Sequence, residues 1–263
     1  MKKILFFFTL FLSLITLPAQ AATIRINSPK ITLELAPGDT YSGEIVAENP
    51  ADQEAKVRLY LEDWVYKPTG IGDKEFTPAG TLPNSASRWI TFSPAEDVLK
   101  PYGRITIRYT INVPKEVKGG YYSVLFIETL LGAAQNEEGV SVLVAGRIGA
   151  LFLIEAKGTA LRQGQIQSVE VKAGGNKPLQ ILTTFKNTGN IDTQLQGKFL
   201  LMDQAGKIYG RGDLANMYLM PGDAATSTTE WVGRLSQGSY TALLTYDLGK
   251  GQTMVSEKTF SVE

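Results

Sequence analysis

Val140 to Ile154 reads V-S-V-L-V-A-G-R-I-G-A-L-F-L-I, with Arg147 its only charge. Extended at about 3.3 Å per residue, the run reaches roughly 50 Å, well beyond the usual strand of five or six residues. A sandwich strand in water shows one polar face, yet this one is apolar on both faces for most of its length. Two readings follow. If one face is uncovered, Val140, Val142, Val144 and Ile148 form an apolar row beside open backbone donors and acceptors, an edge that invites another chain to pair. If both faces are covered, the run is core, under the opposite sheet on one side and a second domain on the other. A membrane span is the poorer reading, because Gly146, Arg147 and Gly149 interrupt the run and it falls short of the roughly 20 residues a bilayer needs.

The same period of two extends outward in both directions. From Ala22 onward apolar residues alternate with polar ones between turn signals rich in Gly, Pro, Asn and Asp, with no 3.6-residue period beyond a turn or two. The first half predicts strands near 23–35, 42–49, 56–66, 88–92, 104–113, 120–130 and 140–155. The second half predicts them near 164–173, 179–187, 192–202, 208–214, 224–232, 239–246 and 252–262. Pro37-Gly38-Asp39, Asn49-Pro50-Ala51-Asp52, Pro101-Tyr102-Gly103 and Gly119-Gly120 supply turn chemistry: fixed φ at Pro, positive φ at Gly, side-chain turn bonds at Asn and Asp. The chain is all-β.

The halves also repeat one another. Asn187-Thr188-Gly189-Asn190 stands where Asn49-Pro50-Ala51-Asp52 stood, Leu219-Met220-Pro221 answers Leu99-Lys100-Pro101, and Ser236-Gln237-Gly238-Ser239-Tyr240 answers Lys118-Gly119-Gly120-Tyr121-Tyr122. Two related modules are the simplest explanation. Short strands at this density with regularly spaced turns describe immunoglobulin-like β-sandwich domains, here 22–156 and 157–263, divided where Lys157-Gly158-Thr159 ends an apolar stretch. Tyr122 and Tyr240 stand where a penultimate strand begins, the place of a tyrosine corner; each reads equally well as an ordinary aromatic core position.

At the other end, Lys2 and Lys3 precede an apolar run from Ile4 to Leu17, then Pro18 and Ala19-Gln20-Ala21. This is the layout of a secretory signal peptide, residues 1–21, cleaved after Ala21, and it implies an exported, periplasmic protein. The 263-residue sequence carries 26 basic and 26 acidic residues, and losing Lys2 and Lys3 leaves the mature chain slightly acidic. Nothing electrostatic calls for nucleic acid or an anionic membrane. There is no Cys, so stability rests on packing rather than disulfides. There is also no His, which removes the commonest general base and metal ligand together with the Ser-His and Cys-His nucleophile pairs. A non-enzymatic protein without metal or cofactor is the expectation.

Three passages carry a resemblance: Ser28-Pro29-Lys30-Ile31-Thr32-Leu33 opening the first strand, Tyr121 to Leu131 followed by the loop Gly132 to Gly139, and Val140 to Ile154. In these the first domain resembles the N-terminal domain of periplasmic pilus chaperones of the chaperone–usher type, immunoglobulin-like proteins, and the two-domain layout agrees. The resemblance implies that alternating apolar residues at the start of the long strand, here Val140, Val142 and Val144 with Ile148 further along, are lent to an incomplete pilin-like subunit. It also implies that a basic residue on the first strand and a lysine on the last anchor the subunit's terminal carboxylate. Lys30 matches the first position. The second falls on Gly149, a departure, and Arg147, two residues earlier on the same strand face, is the candidate to supply the charge. The alternative function is a structural scaffold of the cell envelope, in which the long strand is covered.

Other signals are weaker. Arg211-Gly212-Asp213 spells an integrin-binding tripeptide, which arises readily by chance. Glu62 and Asp63 are strand neighbours and point to opposite faces, so they do not form a carboxylate pair. Trp64, Trp89 and Trp231 read as packing aromatics. Lys67 to Ser87 is the longest irregular stretch, without a phosphate cradle, metal cluster or nucleophile, and Glu137-Glu138 reads as a solvated turn.

Overall fold

A computed structural model describes residues 24–135, 141–173 and 178–263. The signal-peptide segment, Glu137-Glu138 and Val140 lie outside the described residues. The first ten strands are β1 (Arg25–Ile26), β2 (Lys30–Leu35), β3 (Thr40–Glu48), β4 (Ala55–Tyr66), β5 (Lys74–Pro78), β6 (Ile90–Ser93), β7 (Glu96–Leu99), β8 (Arg104–Asn112), β9 (Gly120–Gln135) and β10 (Ser141–Ala156). They form two facing sheets, one ordered β1-β3-β8-β6 and the other β2-β10-β9-β4-β5, with β7 also pairing β4. The rest are β11 (Gly164–Lys172), β12 (Leu179–Asn187), β13 (Thr193–Asp203), β14 (Ile208–Leu219), β15 (Ala224–Trp231), β16 (Gly238–Gly249) and β17 (Gln252–Val262). They form a second sandwich from the sheets β11-β12-β15 and β14-β13-β16-β17. The all-β, two-sandwich fold expected from the alternation is borne out.

Alternation builds each layer. In β8, Ile107, Tyr109 and Ile111 are buried while Arg104, Arg108 and Asn112 face water. Opposite it, Leu59, Leu125, Ile127, Phe152 and Ile154 complete the first core, and Ile181, Phe185, Leu195, Phe199, Leu201 and Leu244 centre the second. Fully burying each such side chain stabilises the fold by roughly 1.5–3 kcal/mol.

The sequence repeat has a structural counterpart in two buried asparagines. Asn49 Nδ2 donates to the carbonyls of Gln53, Leu99 and Lys100, and its Oδ1 accepts from Ala51 N. Asn187 Nδ2 donates to Ile191 and Leu219, and its Oδ1 accepts from Gly189 N. Each side chain ties its own turn to the matching Leu99 or Leu219 turn, so the two sandwiches are wired alike.

Some boundaries differ from the reading of the sequence. The first predicted strand is two, β1 in one sheet and β2 in the other, with the break at Ser28-Pro29. The irregular stretch 67–87 contains β5, a hairpin partner for the end of β4 with Phe76 opposite Trp64. Of the two positions open to a tyrosine corner, Tyr240 makes one, its hydroxyl donating to Ser236 O at 3.0 Å. Tyr122 does not: its hydroxyl accepts from Asp192 N, at 2.5 Å, across to the second sandwich.

That bond belongs to a joint between the sandwiches. Gly120 N donates to Asn190 O, Asn190 Nδ2 to Thr159 O, and Leu161 N to Asn190 Oδ1. Gly119 has φ +81°, and a Cβ there would run into Asn190 O, so only glycine fits. Trp64, Tyr66 and Tyr122 of the first sandwich pack with Met220 of the second, and Tyr218 N donates to Gly70 O in the β4–β5 turn. Arg162 pairs with Glu155, and Lys250 with Glu34 at 2.6 Å.

Candidate functional site

β10 is two strands in one. Antiparallel β9 lines its whole length, from Ser141 opposite Gln135 to Glu155 opposite Gly120. Parallel β2 covers its other side only from Leu151 to Ala156, opposite Lys30 to Leu35. Over Ser141 to Ala150, no strand pairs that side of β10 among the described residues. The open stretch is about 33 Å long at 3.3 Å per residue. A bulge between Val144 and Ala145 leaves Leu131 of β9 without an opposite residue, and bulges at sheet edges bend the strand and re-aim it. The antiparallel β4 pairs β9 no further than Val57 opposite Thr129, so among the described residues the β9–β10 ribbon beyond it runs out as two strands.

The apolar character on both faces has a separate cause in each half. In the paired half, Phe152 and Ile154 enter the sandwich core, while Leu151 and Leu153 enter the cluster of Trp64, Tyr122, Val124 and Met220 beneath the second sandwich. In the open half, Ile148 packs partly buried against the first core. Val142 and Val144 stand in register with Ala134 and Gly132 of β9, on the same strand parity as Ile148.

The two basic candidates are not brought together. Lys30 is exposed at the start of β2, four residues further along the ladder than Arg147, roughly 13 Å. Near it is Asp192, whose carboxyl burial pushes up from its ordinary value against the opposing pull of the Tyr122 hydroxyl and the Lys30 ammonium. Arg147 sits on the outer face of the sheet. Its guanidinium lies 4.0 Å from the centre of the Phe126 ring and 5.4 Å from that of Phe76, and its Nη1 donates to Glu62 at 3.1 Å and to the Tyr60 hydroxyl at 3.3 Å. Tyr60 in turn donates to Glu128 at 2.7 Å, which also holds Arg58 at 2.9 Å. The Tyr60 bond holds the Glu128 carboxyl below its usual range, and Arg58 and Arg147 add to the effect against the opposing influence of burial. At Gly149 a Cβ would press on Val124 at 2.7 Å and Phe126 at 3.0 Å, so packing on this face explains why a small residue stands where the resemblance implies lysine.

Sequence reasoning passed over the Asp63 centre. Asp63 is fully buried and accepts from Ser85 Oγ and Ser87 Oγ, both at 2.6 Å, and from Thr81 N and Leu82 N. Burial raises its carboxyl, but the four donors outweigh it and the group is held below its ordinary value. The signal was present in Thr81, Ser85 and Ser87, short polar side chains within an irregular stretch. The aspartate folds 79–89 into a bracket against β9, where Ser87 Oγ meets Ser123 Oγ. Arg211-Gly212-Asp213 lies within β14, opposite Leu200 to Lys198, rather than on an exposed turn.

No protein-family model matches the chain, and no curated protein matches it. Solved structures similar to it include the class 5 fimbriae chaperone CfaA, at 13% identity over 90% of this chain and 99% of that one, with a TM-score of 0.47. A chain of the CsuC–CsuE chaperone–tip adhesion subunit pre-assembly complex, from archaic chaperone-usher Csu pili of Acinetobacter baumannii, matches at 14% identity over 92% and 98%, TM-score 0.45. The Salmonella enterica SafA pilin–SafB chaperone complex matches at 11% identity over 91% and 97%, TM-score 0.41.

Proposed function

We propose that this is an exported, non-enzymatic, chaperone-like protein that handles pilin-type or other surface subunits by strand pairing along the open half of β10. The observation that carries the reading is the side of Ser141 to Ala150 left unpaired among the described residues, opposite its ladder with β9. Backbone pairing supplies affinity there, and the alternating row of Val140, Val142, Val144 and Ile148 supplies register. β2 supports a direction for the partner. It runs parallel to β10 and begins at Lys30, so a partner strand laid parallel on the open stretch continues the line of β2 and ends facing the Lys30 ammonium. A chain that terminates there presents a carboxylate to that charge.

The test is a pull-down from the native periplasm with residues 22–263 and a variant carrying both Val142→Asp and Val144→Asp. Capture of a small β-rich subunit by the native form alone, with the variant unfolding within a few degrees of it, is the expected outcome. Equal recovery of envelope components by both forms identifies a scaffold, and collapse of the variant identifies those residues as core; either sinks the reading.

A further inference from the structure

Arg147 is the one charge in the open half of β10, Ser141 to Ala150, and its surroundings are complete without a partner protein. The guanidinium is stacked on Phe126 of β9, flanked by Phe76 of β5 and hydrogen-bonded to Tyr60 and Glu62 of β4. Its contacts therefore reach inward across the sheet, away from the open edge of β10. Phe76 and Phe126 meet edge to face with ring centres 5.0 Å apart, so the surface beneath the arginine is itself braced. Arg147 stands opposite Glu128, and Glu128 opposite Arg58, which sets charges of alternating sign across three neighbouring strands. On the inner face the next residue, Ile148, packs on the core. At Arg147 the β10 edge has already lost β2, whose pairing starts at Leu151, and beyond Gly146 toward Ser141 β9 loses β4 as well.

We infer that Arg147 is a positioning residue: a clip that fixes β10 to β4 and β9 at the root of the free ribbon, so that Ser141 to Gly146 is presented in one plane and one register. The inference rests on the strand-pairing reading and deepens it, and it departs from a direct contact between Arg147 and a partner's carboxylate. A guanidinium is suited to the task because its planar fork bonds two oxygens while its face stacks on a ring, which an ammonium does not do. An edge that is ordered only part of the time binds with an affinity reduced by the ordered fraction. The deficit falls on association, because a bound partner strand itself orders the ribbon.

The experiment compares the native chain with Arg147→Met, which keeps the apolar stem, and Arg147→Lys, which keeps the charge. Amide hydrogen exchange on the free protein comes first. Arg147→Met is expected to speed exchange across 141–148 about tenfold while 151–156 stays unchanged, and Arg147→Lys to restore part of the protection. Unchanged exchange in Arg147→Met, or acceleration spread evenly over both halves, overturns the clip. The second readout is binding kinetics with the subunit recovered by the pull-down as the probe. A several-fold lower association rate with dissociation within a factor of two supports positioning. Faster dissociation with normal exchange assigns Arg147 to the partner contact and overturns the inference. If exchange responds as expected but the native chain captures no subunit, the clip stands and the strand-pairing reading fails.

Discussion

The two halves of β10 are both mostly apolar, with one charge each, and have opposite surroundings. Leu151 to Ala156 is flanked by strands on both sides and buried on both faces, whereas among the described residues Ser141 to Ala150 pairs with β9 alone. An apolar run is therefore no measure of strand pairing by itself. What separates the halves is where β2 begins and where the second sandwich presses Met220 against the outer face, and both are decided by residues far away in sequence.

The largest test of this contrast removes a core side chain from each half. Phe152 is fully buried and meets Tyr109 edge to face, ring centres 5.0 Å apart. Phe152→Ala should destabilise the fold by about 3–5 kcal/mol. Ile148 is only partly buried, and Ile148→Ala should cost about 1–2 kcal/mol. Urea denaturation measures both; equal losses would mean that the open half is packed as tightly as the paired one and that the contrast is false.

A somewhat smaller effect is expected at Asp63, which anchors the bracket against the β9 segment facing the paired half. Asp63→Asn removes the charge from four hydrogen bonds in a buried site and should cost about 2–3 kcal/mol at neutral pH. The sign of the pH dependence follows from the depressed carboxyl. Its contribution is complete above the ordinary aspartate value near 4 and is lost as pH falls through the lower folded value. The native chain should therefore lose stability below about pH 4 more steeply than Asp63→Asn, a difference that acid titration of the melting temperature would reveal. Parallel acid limbs would remove Asp63 from the account.

The fold class was legible because burial follows alternation so closely, as β8 shows with isoleucines inside and arginines outside. The paired turns were legible because Asn49 and Asn187 do the same work in both modules. β5 was not, because Lys74 to Pro78 gains its partner only from the end of β4, and its polar residues carry no alternation strong enough to stand alone. The row Val142, Val144 and Ile148 was visible as a pattern, but its open side depends on β2 stopping at Lys30, a matter of pairing rather than composition. Arg147 was read as the candidate to anchor a partner's carboxylate. Its partners Tyr60, Glu62, Phe76 and Phe126 lie on three other strands, and no local spacing announces them.

The smallest effect separates the two tyrosines that the repeat makes equivalent. The Tyr240 hydroxyl donates to Ser236 within its own sandwich, and the Tyr122 hydroxyl meets Asp192 in the other, accepting from its N–H. Burial raises the Tyr122 hydroxyl well above its ordinary value, so it acts by hydrogen bonding. Removing either hydroxyl should cost about 1 kcal/mol, but the consequences should differ in kind. Tyr240→Phe should loosen only the turn at Ser236. Tyr122→Phe leaves Asp192 N without its acceptor in the joint, and it should speed amide exchange in 187–192 and around Gly120 while the open half of β10 stays as it was. Exchange mapped on the two variants decides the matter. If Tyr122→Phe instead disturbs Ser141 to Ala150, the joint and the free edge are coupled, and the two halves of β10 are not independent.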